Sequence, residues 1–289
     1  MVASLYHDTT PTPIGAHFEL TLGTAWDFLL PSGGVVMTAA LRAAAAAIAS
    51  PDHRLLSATA TFCEPIAPGT IELHPQVLRR GAAAIMTRTA LHPPGGVGCE
   101  VTATFARDRV GPDVIARPPP AVPPPADCAD LLATGSPLAR ARFFANLEVR
   151  LAAGTPLFAP GFAAGPARYA RWFRYRAPAG DGVALDRLAL PPIVDTMPAA
   201  LTQAIGPTDY RFYAPSVDLT VHVVDDTDRE WVLVEATLGR ARSGWANARV
   251  ELWDDRGRYL AAGCQTMYLR TVAGTPPTVD ASDRWGGAS

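Results

Sequence analysis

The clearest pattern along the chain is a strict alternation of apolar and polar residues in its second half. Residues 217–223 read Val-Asp-Leu-Thr-Val-His-Val, and residues 248–252 read Ala-Arg-Val-Glu-Leu. A period of two places alternate side chains on opposite faces of a β-strand. Both segments are therefore predicted to be antiparallel strands with one packed face and one more polar face.

The same order of elements is predicted twice along the chain. Each half begins with a lead strand, 17–22 or 169–176, and continues with a helix, Gly33–Ala49 or Asp195–Ile205. Four more strands follow each helix, at 55–64, 69–79, 82–92 and 97–106 in the first half and at 216–224, 231–240, 245–253 and 259–269 in the second. An internal repeat of this kind indicates two units of one architecture. A helix buried against a curled antiparallel sheet, an α+β arrangement, would satisfy both halves.

A proline-rich stretch separates the two halves. Residues 117–127 read RPPPAVPPPAD and hold six prolines, which favour an extended, semi-rigid connector. The alternative is a long surface loop inside a single domain. The predicted organisation is a first domain at 1–115, a proline-rich linker at 116–160, and a second domain with a short tail at 161–289.

Composition excludes several classes of function. The 289 residues have a formal net charge of -2, which is unlike a nucleic-acid-binding protein. All 25 Lys and Arg residues are arginine, so a Schiff-base lysine or a P-loop lysine is ruled out. No cysteine lies in a CxxC pair, which predicts free thiols in a reducing cytoplasm and no metal site. The start of the chain lacks a signal-peptide pattern, and the longest apolar run, 38–49, is too short to span a membrane.

Three motifs carry a resemblance to a known family. Ser32-Gly33-Gly34 opens the first helix, residues 215–222 place a serine two positions before an aspartate, and residues 245–265 form a hairpin that ends in Gln265. Together with the repeated element order, they resemble the double hot-dog acyl-CoA thioesterases, the bacterial type II acyl-CoA thioesterases and their thioesterase-like relatives. The resemblance covers nearly the whole chain, apart from the linker and the tail after about residue 274. It implies a tandem hot-dog fold, in which each half is an antiparallel sheet wrapped around a central helix.

The resemblance also implies a catalytic trio of an Asp, a Thr or Ser, and a Gln. By position these fall on Asp195 at the start of the second helix, on Ser216 and on Gln265. The expected activity is hydrolysis of a fatty or related acyl-CoA to the free acid and coenzyme A by an activated water, with no metal, cofactor or covalent intermediate. The first half offers no matching trio, so one site per chain is expected, built mainly from the second half.

Other interpretations of the same residues stay open at this point. An Asp before a helix is often only an N-cap, and Asp218 competes with Asp195 for the role of base. A non-catalytic acyl-CoA or lipid-binding protein and an enoyl-CoA hydratase-like enzyme are the alternative functions, since one fold hosts several roles. No Gly-x-Ser-x-Gly elbow is present, so an α/β-hydrolase mechanism is not supported.

Binding of coenzyme A must use arginine, because the chain has no lysine. The predicted contacts are Arg242, Ser243 and Gly244, in a loop between two strands that could also present backbone N–H groups to a phosphate. The expected partner is therefore a small acyl-CoA substrate, with neither nucleic acid nor a membrane span. A homodimer of double hot-dog chains is expected in the cytoplasm.

Overall fold

The structure, a computed structural model, describes residues 2–133 and 136–285. The first half of the chain forms two helices and six strands, named here in chain order. They are α1 (Leu5–Thr9), β1 (Thr12–Ile14), β2 (His17–Leu22), α2 (Gly33–Ile48), β3 (Arg54–Phe62), β4 (Gly69–Arg80), β5 (Ala84–His92) and β6 (Cys99–Ala106). The strand, helix and four strands predicted for this half are confirmed within one or two residues at most of their ends.

The second half repeats that order and adds elements around it. They are β7 (Ala129–Asp130), α3 (Arg142–Ala145), β8 (Leu147–Ala153), β9 (Arg168–Tyr175), α4 (Pro191–Val194), α5 (Pro198–Ile205), β10 (Arg211–Tyr213), β11 (Ser216–Val223), β12 (Val232–Arg242), β13 (Trp245–Asp254), β14 (Tyr259–Tyr268) and β15 (Arg270–Ala273). The lead strand β9 and the strands β11 to β14 lie where strands are predicted for this half.

One antiparallel sheet of thirteen strands runs through both halves. Its order is β1-β2-β4-β5-β6-β3-β11-β14-β13-β12-β9-β8-β7, so the halves join where β3 pairs with β11. At that seam the hydroxyls of Thr59 and Thr220 lie 2.9 Å apart. Helix α2 packs on β4, β5 and β6, and its alanines at 39, 40, 43 and 44 are buried. Small side chains allow the helix to be enclosed closely on most sides.

The two halves also meet through their helices. Helix α2 packs against α4, and the backbones approach so closely that a Cβ on Gly34 would lie 2.4 Å from the carbonyl oxygen of Pro191. Arg42 on α2 is buried and reaches across as well: it donates to the carbonyl oxygen of Ala179 at 2.8 Å and pairs with Asp186 at 3.1 Å. A buried guanidinium is tolerated because its charge is paired and its N–H groups are bonded.

The second helix differs from the single helix predicted over Asp195–Ile205. Helix α4 ends at Val194, α5 begins at Pro198, and Asp195 lies in the break between them. Pro198 has no N–H to donate to the carbonyl of Val194, and its ring crowds that carbonyl. The prediction that Asp195 starts the second helix is therefore wrong, because a proline three residues later sets the start of α5.

The linker predicted at 116–160 is shorter in the structure. Strands β7 and β8 and helix α3 fall inside that range, and β8 pairs with β9 in the sheet of the second half. Two residues of the proline-rich stretch contact that sheet: the Trp172 indole donates to the carbonyl oxygen of Pro123 at 2.9 Å, and Arg117 pairs with Glu251 at 2.5 Å. The segment is thus extended and also contacts the sheet. Its prolines have no backbone N–H to donate, but their carbonyl oxygens can still accept hydrogen bonds.

Candidate functional site

The carboxylate of Asp195 is the centre of a buried hydrogen-bond network at the junction of the two halves. Its side chain is 8% exposed. Oδ1 accepts from the Ser216 hydroxyl and from Nε2 of Gln265, both at 2.8 Å. Oδ2 accepts from the Ser32 hydroxyl at 3.1 Å and from the backbone N–H of Gly34 at 2.9 Å. The three residues predicted from the second half are therefore in direct contact, and two residues of the first half complete the network.

The contacts to Ser32 and Gly34 make Asp195 the cap of a helix in the other half. Ser32 is the N-cap residue of α2, but its own side chain bonds to none of the N–H groups of that helix. The first N–H groups of a helix have no partner inside it, and they carry the positive end of the helix dipole. Asp195 satisfies the N–H of Gly34 and lies at that positive end.

Burial and hydrogen bonding act on Asp195 in opposite directions. Removal from water raises the pKa of the carboxyl above its ordinary value of 3.8, and this effect exceeds the lowering by the four donors. Donors that bond to a carboxylate favour its charged form, whereas a low-dielectric surrounding disfavours it. The result is a carboxylate that is held firmly in place and is more basic than an exposed aspartate.

Ser216 reaches the site because of an irregularity in strand β11. Leu219, Val221 and Val223 face the helices, so strict alternation would turn Ser216 to the outer face with Asp218. A register shift between Ser216 and Asp218 places an extra residue in the strand and reverses this direction. Bulges commonly re-aim a side chain in this way beside functional sites.

Asp218, the alternative base, does not join the network. It lies beyond the bulge on the outer face, and its Oδ1 accepts from the backbone N–H of Thr266 at 2.8 Å. The hydroxyls of Thr59 and Thr220 meet at the seam and also face away from the helices. The geometry therefore favours Asp195 over Asp218 as the buried carboxylate of the site.

Gln265 has one polar atom that the described residues leave without a partner. Its side chain is 3% exposed, and Nε2 donates both to Asp195 and to the hydroxyl of Ser216. Oε1 is buried, and no hydrogen-bond donor of the described residues reaches it. A buried acceptor without a donor costs free energy, so an open acceptor beside a carboxylate indicates a place for a further hydrogen-bonding group.

The roles of Ser32 and Gly34 in this site were not predicted from the sequence. The motif Ser32-Gly33-Gly34 was visible as a helix start, and a helix start always has free N–H groups. What the chain could not reveal is that the acceptor comes from a residue 161 positions away from Gly34. Ser32 and Gly34, at the start of α2, supply two of the four donors to Asp195, and Ser216 and Gln265 of the second half supply the other two.

Arg242, Ser243 and Gly244, the predicted coenzyme A contacts, lie at the tip of the β12–β13 hairpin. Arg242 pairs with Trp245, so Ser243 and Gly244 form a two-residue turn, and both have positive φ, 52° and 79°. Two such residues are typical of a type I′ turn. All three residues are exposed, and Arg242 shares the outer face of the sheet with Trp245, opposite the face that holds Gln265. Their contact with coenzyme A stays a prediction.

A continuous antiparallel sheet with a helix packed on each half defines a double hot-dog protein. Family models place the chain more closely: residues 24–106 match the acyl-CoA thioesterase N-terminal domain, and residues 120–269 match the acyl-CoA thioesterase C-terminal domain. The chain belongs to this acyl-CoA thioesterase family. The C-terminal match begins at residue 120, inside the range predicted as a linker. No curated protein matches the sequence.

Solved structures agree with the fold over nearly the whole chain. A conserved hot-dog protein of unknown function from Alicyclobacillus acidocaldarius is 22% identical, with a TM-score of 0.79 over 94% of this chain and 100% of that one. A candidate thioesterase II from Thermobifida fusca YX is 25% identical, with a TM-score of 0.77 over 94% and 98%. Acyl-CoA thioesterase II TesB2 from Mycobacterium marinum is 20% identical, with a TM-score of 0.73 over 94% and 100%. No helix within residues 2–133 and 136–285 is long and apolar enough to cross a membrane.

Proposed function

We propose that this protein hydrolyses a fatty or related acyl-CoA to the free acid and coenzyme A, with a water activated by Asp195. The observation that carries the proposal is the buried Asp195 carboxylate, fixed by Ser216 and Gln265 and raised in pKa, beside the open acceptor Oε1 of Gln265. A general base works best when its pKa approaches the working pH. Membership in the acyl-CoA thioesterase family supports the same reaction.

In the proposed reaction the water takes the place of one of the four donors to Asp195, gives a proton to the carboxylate, and bonds through its oxygen to the thioester carbonyl carbon. The second hydrogen of the water is held by the open Oε1 of Gln265, which aims a lone pair at that carbon. The tetrahedral intermediate then collapses, the carbon–sulfur bond breaks, and the departing thiolate takes the proton from Asp195. Gln265 does not titrate, and Ser216 bonds to the carboxylate, so their roles are orientation of the base and of the water.

The developing oxyanion is proposed to meet the N-terminus of α2. A Cβ on Gly33 would lie 3.2 Å from Oδ2 of Asp195, so the backbone of Gly33 borders the carboxylate. Within the described residues, the N–H of Gly33 donates no hydrogen bond. A free N–H at the positive end of a helix dipole stabilises negative charge in the transition state. The N-terminus of α2 thus takes the place of the helix N-terminus predicted at Asp195, because no helix of the structure begins at Asp195.

Release of free thiol from a series of acyl-CoA chain lengths tests the proposed function. Turnover of at least one of them, at a rate that Asp195→Asn lowers by about 10²–10⁴-fold, is the expected result. Tight binding of acyl-CoA without release of thiol would instead support the binding protein. Addition of water to crotonyl-CoA would support the hydratase. Either outcome in place of thiol release contradicts the proposal.

Removal of the groups that hold the water should lower kcat by unequal amounts. We expect a loss of about 10²–10³-fold for Gln265→Ala, because a preorganised hydrogen-bonding group of an active site is worth that much. Ser216→Ala should lose less, and Ser216→Thr should keep most of the activity, since its hydroxyl is retained. The matched control is Ser57→Ala, a serine of the adjacent strand β3 outside the site. Equal kcat values in Ser57→Ala and Gln265→Ala would contradict the assigned role.

The pH dependence of kcat/KM should report the raised pKa of Asp195. The carboxylate must be ionised to accept a proton, so activity falls as the pH falls through its pKa. Because burial raises that pKa above 3.8, the acidic limb is expected at a higher pH than an exposed aspartate would give. The measurement is a pH–rate profile at saturating and at limiting substrate. An acidic limb at or below pH 3.8 in the folded enzyme would rule out this environment.

A further inference from the structure

The least expected charged residue in the core is Arg171 on strand β9. Its side chain is 3% exposed and lies under α5, between the rings of Tyr169 and Phe173 at 5.3 and 4.9 Å from the centroids. No carboxylate of the described residues forms an ion pair with it. Burial lowers the pKa of the guanidinium to about 10. An unpaired buried charge of this kind costs stability, so packing alone gives no reason for an arginine here.

Within the described residues, the one side-chain hydrogen bond of Arg171 leads to the break that holds Asp195. Nη2 donates to the backbone carbonyl oxygen of Thr196 at 2.7 Å, while Nε is buried and has no partner among the described residues. In a continuous helix the N–H of Ala200 would donate to Thr196, but here it donates to Met197 at 3.1 Å. The break therefore leaves the Thr196 carbonyl to a side chain, and Arg171 supplies the donor.

The rest of the break is held in a similar way. The hydroxyl of Thr196 donates to the carbonyl oxygen of Ile193 at 2.7 Å, and the N–H of Asp195 donates to that of Pro191 at 2.9 Å. Asp195 is thus held on its N-terminal side by α4 and on its C-terminal side by the hydrogen bond from Arg171 to the Thr196 carbonyl. Loss of the hydrogen bond from Arg171 would leave the Thr196 carbonyl free to move, since Pro198 prevents the helix from closing the gap.

We propose that Arg171 is a positioning residue: its bond to the Thr196 carbonyl fixes the break between α4 and α5 and so keeps the Asp195 carboxylate against its four donors. It contacts neither water nor substrate in this scheme. A small displacement of a catalytic group can cost about 10²-fold in rate. The effect on kcat rests on the proposed hydrolysis, whereas the effect on the geometry of Asp195 does not.

The test compares Arg171→Met with Arg174→Met, an arginine of the same strand that pairs with Glu148 and Glu230 at the surface. We expect Arg171→Met to lower kcat by about 10–100-fold with KM within twofold of wild type, and Arg174→Met to change neither. Arg171→Lys should recover part of the loss, since it returns an N–H donor. Should Arg171→Met not fold, Arg171→Gln takes its place, because its amide is too short to reach Thr196.

A second readout does not depend on activity. The pKa of the Asp195 carboxyl, followed by NMR on protein with ¹³C-labelled aspartate and assigned with Asp195→Asn, should rise in Arg171→Met because the carboxylate loses donors. A merely structural arginine would leave both kcat and this pKa at wild-type values in the folded variant, and that result overturns the proposal. A wild-type protein that hydrolyses no acyl-CoA overturns the proposed function instead, and the NMR titration still decides the role of Arg171.

Discussion

Asp195→Asn is expected to lower kcat for acyl-CoA hydrolysis by about 10²–10⁴-fold, the usual contribution of a general base. The amide has nearly the same shape as the carboxylate but cannot take a proton from water. It can still accept from Ser32 and Gly34 with its oxygen, and its NH₂ group can donate to Ser216 and, after a flip of the Gln265 amide, to Oε1 of that residue. The variant should therefore fold with its hydrogen bonds satisfied.

The same substitution should not lower the thermal stability. The pKa of Asp195 is raised in the folded state, so the native protein binds this proton more tightly than the unfolded chain does. The stabilisation from the protonated form is complete only below the unfolded pKa and is lost as the pH rises through the folded pKa. At neutral pH the ionised group thus costs stability, and the neutral amide removes that cost. A Tm well below wild type, or an unchanged kcat, would contradict the assignment.

Gly34→Ala is expected to destabilise the protein and to lower its activity. Its Cβ would lie 2.4 Å from the carbonyl oxygen of Pro191 and 2.6 Å from the Cα of Pro192. These are backbone atoms that no rotamer change can move away. Overpacking of this kind costs about 1–3 kcal/mol, and here the upper end is expected because two backbones must separate. Separation of α2 from α4 would also pull the N–H of Gly34 from Asp195, so kcat should fall as well.

Gly23→Ala is the matched control, because a Cβ at Gly23 meets no atom within 4 Å. Denaturant unfolding of the two variants, with a thiol-release assay in parallel, measures both effects. A wild-type midpoint and wild-type activity in Gly34→Ala would show that the halves do not approach as closely as described.

Local pattern and composition predicted much of this fold. Period-two alternation identified β11 and β13, and the Gly-Gly start and alanine content identified α2, because these properties depend on neighbours in sequence. The break at Asp195 was harder to predict: Pro191, Pro192 and Pro198 were visible, but which proline starts a helix depends on what packs around it. Strand β8 was not predicted for the same reason, since it is defined by its pairing with β9.

In the candidate site, too, some features could be predicted from the sequence and others depend on how distant segments pack. Asp195, Ser216 and Gln265 were identified through a family resemblance, and their contact could not have been derived from spacing, because they are 21 and 49 residues apart along the chain. Regular alternation would have placed Ser216 on the wrong face, and only the bulge in β11 corrects it. Arg171 carried no signal at all, because an arginine among aromatic residues on a strand is usually a surface residue.

The cap that Asp195 provides for α2 would make the proposed hydrolysis depend on the assembly of the two halves. Neither half alone holds both the carboxylate and its four donors, so separate fragments of the chain would each lack a site even if each folded. Activity would return only when the two fragments bind each other through the β3–β11 seam and the contact of α2 with α4. In a refolding experiment the rate at which hydrolysis appears would therefore follow the docking of the halves and not the folding of either one.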